Sequence, residues 1–181
     1  MEFMFLPLKR YAEFSGRSRR MEFWMWVLFQ LLLACAFVVG FIGLVGSAIF
    51  AGNMESPEQM LASGGAAIVL FVIWVVVSLA FFIPNLAVTV RRLHDTDRSG
   101  WWIMLYWGPY LASAFMTPAI TGAAMNGGNL ETMMGVSLLF SGAQLIGSLV
   151  LLVFLFLDGT PGTNRFGPDP KGRADAGNVF A

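Results

Sequence analysis

The chain has 181 residues, of which 57% are hydrophobic and 12% are charged, and its formal net charge is zero. Soluble domains have about a quarter of their residues charged, so this composition excludes an ordinary soluble domain and indicates an integral membrane protein. A single cysteine, Cys35, excludes a disulfide within the chain, and one cysteine with one histidine is too few for a zinc cluster. We therefore expect no metal and no cofactor.

The first 23 residues precede the first long apolar run. They mix aromatic and aliphatic side chains with Lys9 and Arg10, which is typical of a short segment that lies in the headgroup plane. The apolar run that follows begins too late and is too long for the core of a signal peptide. We therefore expect Met1 to remain and residues 1–23 to form a cytoplasmic interfacial segment.

Four apolar runs follow in chain order, at residues 24–50, 66–90, 101–121 and 135–157. None of them contains a charged residue or histidine, and each is longer than the roughly 18 residues that distinguish a spanning helix from a buried one. Backbone groups in hydrocarbon must be hydrogen-bonded within the segment, so each run should be helical. The sequence therefore predicts an all-α integral membrane protein with four transmembrane helices in a compact bundle. Residues 158–181, rich in glycine and proline, should form an irregular cytoplasmic tail.

Charge placement gives the predicted orientation. All eleven basic residues lie within 9–20, 91–98 and 165–173, whereas the two other loops carry Glu55, Glu58 and Glu131 and no base. Four spans put the three basic segments on one face and the acidic loops on the other. Because basic residues are enriched in cytoplasmic loops, we expect both termini to be cytoplasmic.

The sequence RRLHDTDRSGWW, residues 91–102, joins the second and third apolar runs. Arg91 and Arg92 should extend the second helix into the headgroups, with their stems along lipid and their guanidinium groups at phosphate. Trp101 and Trp102 open the third run at the interface, where such rings prefer to lie.

The acidic residues of this stretch have local interpretations. Asp97 or Ser99 can cap the start of the third helix by accepting a hydrogen bond from a free backbone N–H. Asp95 can neutralise Arg92 or Arg98, each three residues away in the sequence. These interpretations leave His94 unexplained.

Two further polar stretches, residues 15–26 and 157–170, should lie on the same face. In the second, Asp158 leaves the fourth run and Gly159 can cap its helix. If the bundle is compact, side chains from all three stretches share one cytoplasmic surface. The candidate cluster on that surface comprises Arg17, Arg91, Arg92, His94, Asp95, Asp97, Arg98, Ser99, Trp101, Trp102 and Asp158.

Three functions compete for this chain. The leading interpretation is a non-enzymatic membrane protein whose cluster docks anionic lipid headgroups or a protein partner, because arginine bonds phosphate and carboxylate through two donors. One alternative is a small-solute transporter or channel subunit, for which Asn85 and Gln144 are the polar residues inside the spans that we would test first. The other is an interfacial enzyme that uses His94 and nearby aspartates, although no nucleophile–base pattern accompanies them. We expect no nucleic-acid partner, while a homo-oligomer stays open.

Three motifs carry a family resemblance: GRSRRMEFW at 16–24, LAVTVRRLHDTDRSGWW at 86–102 and LDGTPGTNRFGPDP at 157–170. They resemble the domain-of-unknown-function family 805, over about residues 11–171. The resemblance implies a helical domain in the bacterial inner membrane and no known activity, so no catalytic residue is carried over. In that family a glycine commonly stands at the position of Asp97, and the loop at 122–133 is longer here than the resemblance implies. Its signature positions here are Arg17, Arg91, Arg92, His94, Asp95, Arg98, Ser99, Gly100, Trp101 and Trp102.

Overall fold

The computed structural model describes residues 2–50, 57–125, 127 and 129–172. Five α-helices are present in this part of the chain: α1 (Glu2–Lys9), α2 (Arg20–Phe50), α3 (Pro57–Asp95), α4 (Met104–Met125) and α5 (Leu130–Phe156). A 3-10 turn at Gly100–Ile103 precedes α4. Across the described residues there is no β-strand, and Asn164 and Gly167 form an isolated bridge.

Three helical segments are long and apolar enough to cross a membrane: Arg20–Gly46, Gly64–Asp95 and Met133–Phe156. Helix α4, the third predicted span, has 22 residues but contains Pro109 and Pro118 and is not among these three. The loop predicted to carry Glu55 and Glu58 is helical from Pro57 onward, because Pro57 opens α3. Proline suits the first position of a helix, where its missing N–H would have no partner in any case.

The chain divides into two compact units. Unit 1 comprises Met1–Glu13 and Met21–Val88. In it the indole N–H of Trp26 donates to Asn85 Oδ1 at 2.7 Å, and the ring of Phe5 meets that of Phe29 edge-on at 5.3 Å. Helices α1 and α3 are therefore both held against α2 near its start.

Tyr11 supplies a hydrogen bond that Pro84 cannot make within α3. Pro84 lies inside that helix and has no N–H to donate to the carbonyl of Ala80, four residues earlier. The Tyr11 hydroxyl donates to that carbonyl at 2.6 Å. In the apolar surroundings of a span, a carbonyl with no donor is costly, so this bond stabilises α3 next to Pro84.

We expect Tyr11→Phe to lower the free energy of unfolding by about 1–2 kcal/mol, the cost of leaving such an acceptor unsatisfied. Unfolding by SDS in mixed micelles measures the change. The matched control is Tyr106→Phe, since the Tyr106 hydroxyl makes no hydrogen bond to the rest of the described chain. Equal effects of the two substitutions would contradict this role of Tyr11.

Unit 2 comprises Phe14–Arg20 and Thr89–Ala181. It holds the last residues of α3 together with α4 and α5, and its buried apolar side chains are Leu93, Ile103, Leu151 and Leu155. Helices α4 and α5 approach closely at Gly147, where a Cβ atom would overlap the carbonyl group of Leu105. The three polar stretches singled out in the sequence all reach into this unit.

Candidate functional site

The C-terminal end of α3 brings the three polar stretches together. The last carbonyls of a helix have no partner inside it, and here other segments supply donors. Asp95 O accepts from the N–H of Thr160 at 2.9 Å, and His94 O accepts from Asn164 Nδ2 at 2.9 Å. One turn earlier, Arg91 O accepts from the N–H of Ser18 at 3.1 Å. Residues 16–20 and 157–170 are thereby fixed to the end of α3.

At the centre of this arrangement Arg17, Arg92 and Asp95 form a group that we call the buried cluster. The Asp95 carboxylate receives Arg17 Nε at 3.0 Å on Oδ1 and Arg92 Nη1 at 2.5 Å on Oδ2. The side chains of Arg17 and Asp95 are only 1% and 3% exposed. Two cations and one anion leave a net charge of +1 in a place that excludes water. Other hydrogen-bond acceptors must therefore stabilise the arginines.

Backbone carbonyls provide these acceptors. Arg17 Nη1 donates to Gly162 O at 2.7 Å, and its Nη2 donates to Thr160 O at 2.5 Å. Arg92 Nε donates to Leu155 O at 3.1 Å, and Arg92 Nη2 donates to Leu157 O. Leu155 and Leu157 lie at the end of α5, where free carbonyls and the negative end of the helix dipole favour a cation. Arg92 therefore caps α5, and Arg17 holds the loop after it.

Gly159 is required where the loop passes Asp95. A Cβ atom on Gly159 would overlap the Asp95 carboxylate. The expectation that Gly159 caps the fourth helix is wrong, because the cap residue of α5 is Leu157. Asp158 lies outside the buried cluster: it is 60% exposed and pairs with Arg20 at 2.6 Å and with Lys171 at 3.2 Å.

The location of Arg91 and Arg92 corrects one sequence-based expectation. Both residues are 0% exposed, so the prediction that their guanidinium groups reach lipid phosphate is wrong. For Arg92 the reason is visible, since Asp95 and the end of α5 supply acceptors inside the protein. Of the two partners expected for Asp95, Arg92 is confirmed and Arg98 is not.

His94 and Asp97 also have partners within unit 2. The His94 ring stacks on Phe166, with centroids 3.8 Å apart and planes 3° apart, and its Nδ1 lies 3.2 Å from Gly16 O. Asp97 pairs with Arg165 at 3.2 Å. In the part of the chain that the structure describes, no three His, Cys, Asp or Glu side chains are grouped as a metal site would need.

Asp97 has a φ of +57°, in the left-handed region that favours glycine. Aspartate tolerates this conformation better than most residues. The positive φ at this position thus explains why a glycine would commonly stand here in the family that the sequence resembles. Ser99, the other residue expected to cap the third helix, accepts from the N–H of Trp101 at 3.4 Å and caps the 3-10 turn.

Beyond the buried cluster, unit 2 presents a surface that we call the interface patch, formed by Arg98, Trp101, Trp102, Phe154 and Arg165. The Arg98 guanidinium carbon lies 4.0 Å from the centroid of the Phe154 ring, and Trp102 meets the same ring edge-on at 5.2 Å. Trp101 is 77% exposed, and the Arg165 side chain is 60% exposed. We include Arg165 because it pairs with Asp97, the residue before Arg98.

Sequence reasoning found the cluster's own residues and expected residues 157–170 on the same face, but it assigned no contacts between that stretch and the end of α3. Thr160, Asn164 and Phe166 all contact the end of α3, yet their composition indicates only a turn. Asn164 gives a weak local signal, since its side chain accepts from the N–H of Phe166 at 2.9 Å, as asparagine often does in turns.

Comparison with known proteins agrees with this architecture. The family described as "Protein of unknown function (DUF805)" matches residues 11–168. "Inner membrane protein YhaH" of Escherichia coli (strain K12) is 32% identical over 94% of this chain and 98% of its own length. "Inner membrane protein YhaI" of the same strain is 32% identical over 94% of this chain and 97% of its own length. No solved structure matches.

The relatives and the helices that can span a membrane agree on location: this is a multi-pass protein of the bacterial inner membrane. The resemblance seen in the sequence motifs is confirmed, because the family match covers most of the chain. The chain belongs to the DUF805 family.

Proposed function

We propose that this protein is a non-enzymatic inner-membrane protein that docks anionic lipid headgroups through the interface patch. The buried cluster acts as the support that fixes the patch. The proposal also includes four membrane helices with both termini in the cytoplasm. It moves the docking groups from Arg91 and Arg92, which are buried, to Arg98 and Arg165.

Helix geometry within unit 2 supports four spans. The ends of α3 and α5 lie together, because Arg92 near the end of α3 bonds carbonyls at the end of α5. Helix α5 has 27 residues, about 40 Å of helix, so its start lies far from the buried cluster. Helix α4 must carry the chain over that distance, and its 22 residues extend about 33 Å. It can therefore cross the membrane despite its lower hydropathy.

The same contacts support an even number of spans. Arg20, the first residue of α2, pairs with Asp158 just after α5. The beginning of α2 and the end of α5 therefore lie on one face. Within unit 2, Arg17, Arg92 and Arg165, one from each basic segment, also lie at the end of α3, and the enrichment of basic residues in cytoplasmic loops supports a cytoplasmic location for that face.

A reporter that is active only in the periplasm tests the role of α4. Inserted at Gly127, between α4 and α5, the reporter should be active, whereas a fusion after Gly172 should be silent. Gly127 has a φ of +79° and lies outside both helices, so the insertion spares them. If the reporter is functional but inactive when inserted at Gly127, α4 does not cross the membrane.

The observation that carries the docking proposal is the association of the half-buried Arg98 with exposed tryptophan at the start of α4. Trp101 is 77% exposed and Trp102 is 43% exposed, which suits rings that anchor a helix at the membrane interface. Arg98 and Trp102 both contact the Phe154 ring, and Arg165 pairs with Asp97, the residue before Arg98. Guanidinium groups at that level can each bond two phosphate oxygens.

We expect Arg98→Gln/Arg165→Gln to reduce retention of anionic lipid about thirtyfold, since two basic groups near an anionic surface contribute about 1 kcal/mol each and about 1.4 kcal/mol is a tenfold change. Native mass spectrometry after release from mild detergent measures the retained lipid directly. The matched control is Arg10→Gln, which removes another exposed base that is paired with an acid, Glu13. Lipid retention should fall much less in this control than in the double variant.

Equal retention by the wild type and the double variant would contradict lipid docking. A bound protein that is lost only from the double variant would instead assign the patch to a protein partner. Crosslinking from the patch would then identify that partner.

A further inference from the structure

The His94 ring lies where two distant segments of unit 2 meet the end of α3. One face of the ring stacks on Phe166, with centroids 3.8 Å apart, and its Nδ1 lies 3.2 Å from Gly16 O. The backbone carbonyl of His94 accepts from Asn164 Nδ2 at 2.9 Å. His94 therefore contacts residues 164–167, which we call the C-terminal turn, through both its ring and its backbone.

The contact with Gly16 determines which ring nitrogen can take up a proton. A carbonyl oxygen only accepts hydrogen bonds, so Nδ1 carries the hydrogen of the neutral ring and Nε2 keeps its lone pair. Nε2 makes no hydrogen bond to any residue that the structure describes, and His94 is only half-buried. Histidine is the side chain whose ordinary pKa, about 6.5, is closest to neutral pH. Mild acid would therefore add a positive charge to a ring that is packed between two segments.

The charges near His94 do not favour a further cation. The charged side chains in or beside the segments that contact the ring are Arg17, Arg91, Arg92, Asp95, Asp97 and Arg165. Both aspartates already pair with arginine: Asp95 with two guanidinium groups and Asp97 with one. Bases outnumber acids in this set, so a protonated ring would add positive charge with no carboxylate of its own to neutralise it.

The Phe166 ring would by itself attract a charged histidine, because the faces of aromatic rings attract cations. That ring already contacts a cation, since the Arg165 guanidinium carbon lies 4.7 Å from its centroid. A protonated His94 and Arg165 would contact the same ring and repel each other. Protonation should therefore weaken the stack between His94 and Phe166.

We propose that His94 is a proton-sensitive switch, which holds the C-terminal turn against α3 when it is neutral and releases the turn when Nε2 is protonated. The turn is held above about pH 6.5 and is released as the pH falls below that value. The release is local, because Arg17 still binds the carbonyls of Thr160 and Gly162 before the turn. The inference does not rest on lipid docking, since it concerns what holds the turn and not what binds to the protein.

Hydrogen–deuterium exchange of the full chain in detergent micelles tests the switch. It is measured by mass spectrometry at about pH 7.5 and about pH 5.5, on either side of the ordinary pKa of histidine. The amides of Asn164, Phe166 and Gly167 report on the turn, because each donates a hydrogen bond within it. After correction for the intrinsic pH dependence of exchange, their protection in the wild type should be about fivefold lower in acid, the effect of losing one aromatic stack. His94 is the only histidine of the chain, so the purification tag must contain none.

Two variants that cannot take up this proton keep different contacts of His94. His94→Phe keeps an aromatic ring to stack on Phe166, and His94→Gln keeps a donor for Gly16 O. Protection of the turn should be the same at both pH values in each variant. Equal protection of the wild type at the two pH values, or a fall of wild-type size in either variant, would overturn the proposal. A wild-type fall that extends equally to the amides of α5 would indicate general unfolding in acid and would also overturn it.

Discussion

Asp95→Asn should lower the free energy of unfolding by about 3–5 kcal/mol, the cost of breaking a buried ion pair by removing one charge. Asp95 is the only acid in the buried cluster, and its carboxylate bonds both Arg17 and Arg92. Asparagine preserves the shape of the side chain but leaves two buried guanidinium groups facing each other with no anion. Their bonds to backbone carbonyls remain, so the loss reports the missing charge.

The measurement is unfolding by SDS in mixed micelles, followed by tryptophan fluorescence. Asp158→Asn is the matched control, because Asp158 also pairs with two bases but is 60% exposed. Exposed pairs contribute about 0–1 kcal/mol, so the control should change little. If the two substitutions were equally mild, Asp95 would not have the structural role assigned to it.

Gly147→Ala should be the second large effect, with a loss of about 2–3 kcal/mol from overpacking. The added Cβ would overlap the carbonyl of Leu105, which belongs to the backbone and cannot move as a flexible side chain does. Helices α4 and α5 would have to separate locally. Their close approach is also the packing that small residues typically permit between spans.

Gly142→Ala provides the comparison on the same helix, because no atom lies within 4 Å of a Cβ built there. Alanine favours helix more than glycine does, so this variant should be neutral or slightly more stable by the same SDS titration. A destabilisation by Gly142→Ala as large as that of Gly147→Ala would mean that the close contact is not the cause.

The elements that composition and hydropathy predict are largely those of the structure. Long uncharged runs can be only helices in a membrane, and a helix is present in each of the four runs. The ends are less well predicted: α3 begins at Pro57, about three turns before the apolar run, because polar residues can continue a helix outside hydrocarbon.

The buried cluster shows why the site is harder to predict than the spans. The sequence marks Arg17, Arg92 and Asp95 as unusual, but Arg17 and Asp95 are 78 residues apart. Local spacing identifies Arg92 as a partner of Asp95, three residues away. It gives no sign of Arg17 or of the carbonyls after α5. From the sequence, an arginine next to an apolar run is therefore expected at the lipid surface. Here Arg92 is instead buried, because carbonyls and a carboxylate inside the protein accept its hydrogen bonds.

The central claim is that Arg17, from the segment before α2, binds Asp95 at the end of α3 in an environment that excludes water. A double-mutant cycle of Arg17→Gln and Asp95→Asn tests it most directly, with free energies of unfolding measured for the wild type, both single variants and the double variant. We expect a coupling energy of about 2–3 kcal/mol, at the upper end for residues in contact. Effects that add to within about 0.5 kcal/mol, as for distant and independent sites, would contradict the account.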